Sequence, residues 1–255
     1  MLLVMDVGNT NIKVGVFEGD KLLNSWRMES KPGRTADEYA VTLLNILERA
    51  GLHVRQIEGV VMSSVIPSLN YTLEHRVEYY IRKPMIVAGP GVKSGINVKY
   101  ENPKEVGADR IVNSLAAHRL YGGPCIVIDF GTATTFNVIN ESGEFIGGVI
   151  CPGIKLSTDA LTNNAAKLPR IELIKPERVV GKSTVANMQS GIIYGFIGMV
   201  DYLVRKIKTE TGFSNAKVIA TGGFSELIAE EGHIIDRVDK TLTLTGLRFL
   251  YELNQ

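Results

Sequence analysis

The chain opens with short apolar runs separated by polar turns, a pattern that predicts a β-meander. Residues 2–5 and 13–17 flank a turn centred on Gly8 and Asn9, and a second turn leads into residues 21–28. Runs of this length joined by glycine and asparagine are typical of hairpin-connected strands. The first three predicted elements are therefore strands.

Helical periodicity follows the meander. Thr35 and Glu38 have the spacing of a capping box ahead of an amphipathic stretch that ends at Gly51. Pro67 precedes a second stretch with apolar residues at helical spacing. The apolar runs 60–62 and 85–88 predict buried strands. The first half thus has the predicted order β-β-β-α-β-α-β.

The second half repeats this plan after a predicted helix over residues 108–121. We place the domain boundary near that helix, which gives predicted domains of residues 1–115 and 116–255. The later half is predicted to contain strands at 124–130, 134–139, 144–150 and 218–220, and helices from about 154, over 185–208 and over 242–253.

Composition narrows the possible functions. The chain carries 28 Lys and Arg against 27 Asp and Glu, and this near-neutral charge disfavours a nucleic-acid-binding protein. Cys125 and Cys151 are too few for a disulfide framework, and no apolar run is long enough to span a membrane. We therefore expect a soluble cytoplasmic protein.

Common nucleotide motifs are missing or altered. The sequence has no Gly-x-Gly-x-x-Gly, which disfavours a dinucleotide-dependent dehydrogenase. Residues 176–183 look like a P-loop, but Pro176 stands where that motif needs a glycine, so we do not interpret them as one. The four histidines are scattered without metal-ligand spacing.

The pattern Asp-x-Gly followed by polar residues occurs twice, at residues 6–11 and 129–134, which are 123 residues apart. A carboxylate at a strand end can hold a metal ion, glycine lets the backbone approach phosphate oxygens, and Asn or Thr can donate hydrogen bonds to them. Two such loops facing each other would clamp a polyphosphate and its cation. Asp-x-Gly also makes ordinary hairpin turns, so each loop alone remains open to that simpler interpretation.

A third motif, Ala-Thr-Gly-Gly at residues 220–223, follows another predicted strand. Together the three motifs resemble the two phosphate loops and the adenosine loop of the superfamily that contains actin, sugar kinases and heat-shock-chaperone ATPases. The resemblance implies an α/β fold with two ribonuclease-H-like domains, each a mixed β-sheet flanked by helices. It also implies a nucleotide in the cleft between them.

The segment Gly107-Ala108-Asp109-Arg110 lies where a long loop enters the predicted helix over 108–121. A phosphoryl acceptor needs a group that takes its hydroxyl proton, and Asp109 is a candidate for that base. Arg110 suits recognition of an acidic substrate such as a carboxylate. The simpler alternative is a helix N-terminus with a favourable acidic residue and a solvated neighbour.

Residues 6–13, 107–110 and 129–134 together resemble type III pantothenate kinase, and the similarity runs over essentially the whole chain. The resemblance implies transfer of the γ-phosphate of ATP to the 4′-hydroxyl of pantothenate, the first step of coenzyme A synthesis. It further implies ATP with Mg²⁺ and a monovalent cation, K⁺ or NH₄⁺, as cofactors. Family members are cytoplasmic homodimers, so a homodimer with its substrate site near the subunit interface is expected.

The resemblance also implies a role for each motif residue. The ATP phosphate loop would comprise Asp6, Val7, Gly8, Asn9, Thr10, Asn11, Ile12 and Lys13, with Asp6 near the magnesium ion. Asp109 would be the general base, and pantothenate would contact Tyr100, Gly107, Ala108, Asp109, Arg110 and Thr184. Asp129 would hold the monovalent cation, and Thr132 would contact ATP. Without the resemblance, Tyr100 fits a loop aromatic and Thr184 a helix cap.

Two other functions are consistent with the same fold. One is another kinase or a phosphatase of the superfamily, such as a sugar kinase, which a product assay over candidate acceptors would distinguish. The other is a non-catalytic regulator that responds to nucleotide, because fold does not fix function. An intact Asp109 favours the enzyme, since a regulator has no need of a base.

Overall fold

The computed structural model describes residues 1–31 and 33–255, apart from the side chain of Thr72. The chain divides into two compact units, residues 1–116 with 241–255 and residues 117–240. The predicted boundary at 115/116 lies one residue from this division. The predicted second domain included residues 241–255, whereas in the structure this segment packs with the first unit.

The first unit is built on a five-stranded mixed sheet. Its strands take the order β3-β2-β1-β4-β5, in which β1 runs antiparallel to β2 and parallel to β4. The strands are β1 (Leu2–Val7), β2 (Asn11–Glu18), β3 (Lys21–Glu29), β4 (Gly59–Ser64) and β5 (Met85–Val87), and a two-residue strand β6 (Asn97–Val98) follows. The helices are α1 (Ala36–Arg49), α2 (Pro67–Ile81), α3 (Ala108–Tyr121), whose residues 117–121 belong to the second unit, and α7 (Leu242–Glu252), with 3₁₀ turns at Val54–Gln56 and Pro103–Glu105.

The closing helix α7 joins the first unit because its apolar face covers the central strands there. It packs on β1 and β4, and Leu242, Leu247 and Leu250 are buried. The Tyr251 ring lies so close to Gly59 that a Cβ at that position would collide with it. Sequence periodicity predicts such a helix but does not reveal which sheet covers its apolar face.

The second unit repeats the topology of the first. Its five strands β11-β10-β7-β8-β9 have β7 antiparallel to β8 and parallel to β10. Its strands are β7 (Cys125–Phe130), β8 (Ala133–Ile139), β9 (Glu144–Pro152), β10 (Lys217–Gly222) and β11 (Arg237–Val238), and its helices are α4 (Ile154–Asn164), α5 (Thr184–Thr211) and α6 (Ser225–Ala229). The internal repeat is thus a repeat of architecture, α/β with a mixed sheet and flanking helices in each unit.

Burial of the central strand β1 stabilises the first unit. Its residues Leu3, Val4, Met5 and Val7 are buried together, as expected for a strand covered on both faces.

The predicted capping box also forms, because Thr35 Oγ1 accepts from Glu38 N while Glu38 Oε2 accepts from Thr35 N at 2.7 Å. Among the described residues, no helix is long and apolar enough to cross a membrane.

Candidate active site

The first acidic loop lies at the carboxyl end of β1, where Asp6 is buried and in register with Lys13 on β2 and Ser63 on β4. Ser63 Oγ donates to Asp6 Oδ1 at 2.8 Å, and Lys13 Nζ is 3.6 Å from Asp6 Oδ2. The strand end therefore combines a held carboxylate with a nearby cation. Carboxyl ends of parallel strands are where open α/β sheets bind their ligands.

The turn after Asp6 is closed by a serine from outside the motif. Gly8 N donates to Asn11 O at 3.0 Å, and Ser30 donates from Oγ to Gly8 O at 2.7 Å and from N to Thr10 O at 3.0 Å. Asn9, Thr10 and Asn11 are exposed, whereas Val7 and Ile12 are buried in the core. The loop thus presents polar groups and backbone to solvent, and the two apolar residues anchor it.

The predicted base lies in the first turn of α3. The Asp109 side chain folds back over Gly107, where a Cβ would stand 2.5 Å from Asp109 Oδ1 and 3.8 Å from Val65 Cγ1. Val65 N in turn donates to Val7 O at 3.0 Å. The first unit therefore brings the segment 107–110 beside the end of β1.

Arg110 is buried with 7% of its surface exposed, which is unusual for a cation. Burial lowers the pKa of its guanidinium, while the Tyr100 hydroxyl, which is hydrogen-bonded to it, and the charge of Asp109 act in the opposite direction. The first turn of a helix also disfavours a positive charge. A buried cation at this place is therefore suited to an anionic ligand, and Tyr100 belongs to the same cluster.

The second acidic loop lies at the end of β7, where Asp129 is in register with Thr135 on β8 and Thr221 on β10. Gly222 has φ +94°, and a Cβ there would stand 2.7 Å from Asp129 Oδ1 and 2.6 Å from Phe130 O. Gly223 N donates to Phe130 O at 3.2 Å. The predicted Ala-Thr-Gly-Gly motif and the second Asp-x-Gly motif are therefore packed against each other.

The turn that follows Asp129 approaches the start of α4. Gly131 N donates to Ala133 O and Gly153 N donates to Thr132 O, each at 3.1 Å. A Cβ on Gly153 would stand 2.6 Å from Gly131 O, so only glycine fits there without displacing the turn. Thr132 itself is exposed. Because Gly153 directly precedes α4, the N-terminus of that helix lies next to this loop.

The family of the chain follows from its full sequence. The model of the type III pantothenate kinase family matches residues 2–206, most of the chain. The chain belongs to the type III pantothenate kinase family. It is accordingly a kinase that phosphorylates pantothenate with ATP and a divalent metal ion, a step of coenzyme A biosynthesis.

Solved structures show the same fold. A Campylobacter jejuni protein described as a Baf-family transcriptional activator is 18% identical with a TM-score of 0.62, over 98% of this chain and 97% of that one. The Arthrobacter polyphosphate/ATP-glucomannokinase is 16% identical with a TM-score of 0.54, over 100% and 99%. The Lmo2764 protein of Listeria monocytogenes, named as a candidate N-acetylmannosamine kinase, is 14% identical with a TM-score of 0.55, over 98% of each chain. The fold of this pantothenate kinase is thus that of sugar kinases and actin-like ATPases.

Thr184 lies in the second unit, whereas Tyr100 and residues 107–110 lie in the first. It is the first residue of α5 in the second unit and is exposed. The cap of that helix is Ser183, whose Oγ accepts from Ala186 N at 3.2 Å. The helix-cap interpretation therefore belongs to Ser183, and contact of Thr184 with pantothenate stays a prediction.

Sequence reasoning missed two serines that hydrogen-bond to the first loop of this kinase, Ser30 and Ser63. Ser63 and Ser64 are polar residues at the end of an apolar strand, which is a signal, but the proximity of Ser63 to Asp6 depends on the parallel pairing of β1 with β4. The second acidic loop is one residue shorter than the first. Asp129 therefore pairs with Thr135 across the hairpin, whereas Asp6 pairs with Lys13. Among the described residues, no group of three or more His, Cys, Asp and Glu side chains could hold a metal ion.

Proposed function

We propose that this kinase transfers the γ-phosphate of ATP to the 4′-hydroxyl of pantothenate, with Asp109 as the general base. The observation that carries the proposal is the position of Asp109, in the first turn of α3 beside the end of β1 and within the same unit as the Asp6 loop. Asp109 takes the proton of the acceptor hydroxyl as the oxygen–phosphorus bond forms and the bond to ADP breaks. Most of the acceleration comes from positioning and electrostatic stabilisation.

Arg110 supports an acidic acceptor. Its buried guanidinium, hydrogen-bonded to Tyr100, offers the planar donors that bind a carboxylate in a bidentate manner. Pantothenate carries one carboxylate at the end opposite its 4′-hydroxyl. The pairing of that carboxylate with Arg110 would orient the substrate, and Gly107 and Ala108 would contact it at the helix start.

The loop of residues 6–13 would hold the phosphates of ATP. Its exposed Asn9, Thr10 and Asn11 can donate hydrogen bonds, and Lys13 supplies a positive charge beside Asp6. Mg²⁺ is usually held by one or two carboxylates together with phosphates and water, and the buried Asp6 carboxylate fits that hard-oxygen requirement. When bound, the metal neutralises negative charge on the phosphate oxygens. Asp6 would hold it, and Lys13 would act on the same charge.

Asp129 would hold a monovalent cation, and Thr132 would contact ATP. The Asp129 carboxylate and the Phe130 carbonyl both lie close to Gly222, and their oxygen atoms suit K⁺ or NH₄⁺. The Thr221 hydroxyl, fully buried and in register with Asp129, adds a further oxygen. A cation there would offset phosphate charge.

Exposed apolar side chains of the second unit support a homodimer. Large hydrophobic residues lie exposed along the segment from β9 to α5: Ile150, Leu156, Leu161, Ile174, Val179, Val180, Val185 and Tyr202. Contiguous exposed apolar patches mark association sites, and we propose that a second copy of the chain covers part of this set. Light scattering should therefore give twice the protomer mass of 27.9 kDa, and a monomer at micromolar concentration would contradict the dimer.

The test of the proposed reaction is product analysis on wild type and Asp109→Asn. We expect mass spectrometry and phosphorus NMR to find one phosphate on the 4′-hydroxyl of pantothenate. The variant should keep ADP binding and thermal stability while losing about 10²–10⁴-fold in turnover, the usual contribution of a general base. Near-normal turnover of the variant would reject Asp109 as the base. Phosphorylation of a sugar in preference to pantothenate would reject the acceptor.

A further inference from the structure

A fully buried hydroxyl supports the Asp6 carboxylate from the neighbouring strand. Ser63 has no exposed surface and follows the apolar residues Val60, Val61 and Met62 on β4. Its Oγ donates to Asp6 Oδ1 at 2.8 Å. A hydroxyl is costly to bury unless it is hydrogen-bonded, and here its partner is a charged group.

The two oxygens of Asp6 have different neighbours. Oδ1 accepts a hydrogen bond from Ser63, whereas Oδ2 is 3.6 Å from Lys13 Nζ. That distance is longer than a charge-assisted hydrogen bond, which is about 2.7–2.9 Å. The terminal torsion of an aspartate is soft, so without the Ser63 bond the carboxylate can turn toward Lys13. A closer ion pair between Asp6 and Lys13 would neutralise the two charges that are proposed to bind the metal ion and the phosphates.

The second unit has a buried hydroxyl at the same register position. Thr221 on β10 stands to Asp129 as Ser63 on β4 stands to Asp6, since each is the register partner on the parallel neighbouring strand. Thr221 is also fully buried. Among the described residues, however, Thr221 Oγ1 has no hydrogen-bond partner, so the hydroxyl-to-carboxylate hydrogen bond is a feature of the first unit.

We propose that Ser63 is a positioning residue that fixes the Asp6 carboxylate for the metal–nucleotide complex and keeps it from closing onto Lys13. The inference rests on the proposed role of Asp6 toward Mg²⁺. Ser63 touches neither substrate nor reacting atoms in this role. Its effect passes through the orientation of Asp6.

Calorimetric binding of ADP, with and without MgCl₂, tests this role independently of turnover. We expect wild type to bind ADP more tightly with Mg²⁺, and Ser63→Ala to lose about tenfold of that gain, the value of a hydrogen bond to a charged group. Binding of ADP without Mg²⁺ should stay close to wild type. Ser114→Ala is the matched control, because Ser114 is equally buried in the first unit but donates only to the Arg110 carbonyl.

An isosteric pair covers the case in which Ser63→Ala does not fold. Ser63→Thr keeps the hydroxyl and should keep the Mg²⁺ gain, whereas Ser63→Val should lose it. Equal Mg²⁺ gains in the two variants would overturn the proposal, as would an unchanged gain in Ser63→Ala. Asp6→Asn separates the two levels: if it keeps the gain, the metal role of Asp6 is wrong, and if only Asp6→Asn loses it, the positioning role of Ser63 alone is wrong.

Discussion

The Asp109 carboxylate occupies the space that a Cβ at Gly107 would take. A Cβ at Gly107 would stand 2.5 Å from Asp109 Oδ1. The backbone there is not in the left-handed region, so alanine fits the local conformation. Gly107→Ala therefore moves one carboxylate without unfolding the helix start.

The size of the effect follows from that distance. An ordinary carbon–oxygen contact is about 3.3 Å, so the carboxylate must shift by roughly 0.8 Å. A misplacement of about 1 Å in a catalytic group costs about 10²-fold in rate. We expect Gly107→Ala to lower kcat/KM for pantothenate by about 10–10²-fold, with thermal stability and ADP binding near wild type.

Steady-state kinetics on four variants tests this reasoning. Gly89→Ala is the control, because no atom lies within 4 Å of its Cβ position and its backbone is equally permissive. The double variant Gly107→Ala/Asp109→Asn should be little slower than Asp109→Asn alone, since both changes act on one carboxylate. Wild-type turnover in Gly107→Ala, or fully additive losses in the double variant, would refute the geometry.

Three further predictions concern the second unit. Asp129→Ala should abolish activation by K⁺ in a cation titration, and a retained response would reject the cation role. Gly222→Ala should lower the free energy of unfolding in urea by about 1–3 kcal/mol, because the φ of Gly222 is +94° and a Cβ there would meet Asp129 Oδ1. The control Gly223→Ala should change the free energy of unfolding little, and equal losses in the two variants would contradict this prediction. Burial raises the pKa of the Cys125 thiol to about 12, so its thiolate fraction at pH 8 is negligible; iodoacetamide should leave Cys125 unmodified until the protein is denatured, and rapid native labelling would show that it is accessible.

Local signals predicted most of the fold. The capping box at Thr35 and Glu38 marks the start of α1, and Pro67 is the first residue of α2, because these residues act through neighbours in sequence. The matched Asp-x-Gly loops predicted the repeat, since each acid ends an apolar strand. The short elements β6, β11 and α6 were missed, because elements of two to five residues carry too little periodicity to recognise.

The rest depends on contacts between distant parts of the chain. Ser63 lies 57 residues from Asp6 and meets it only because β4 pairs with β1. The placement of α7 in the first unit likewise depends on which sheet its apolar face covers. The burial of Arg110 follows from packing around α3, and the sequence alone predicted a solvated charge there as the simpler alternative.

Release of ADP in the presence and absence of pantothenate measures the activity most directly. With ATP, Mg²⁺ and K⁺, the purified protein should form ADP only when pantothenate is added, with one ADP for each phosphorylated pantothenate. Replacement of K⁺ by Na⁺ should lower the rate. ADP formation that is independent of pantothenate, or that sugars support equally well, would contradict phosphoryl transfer to pantothenate at this site.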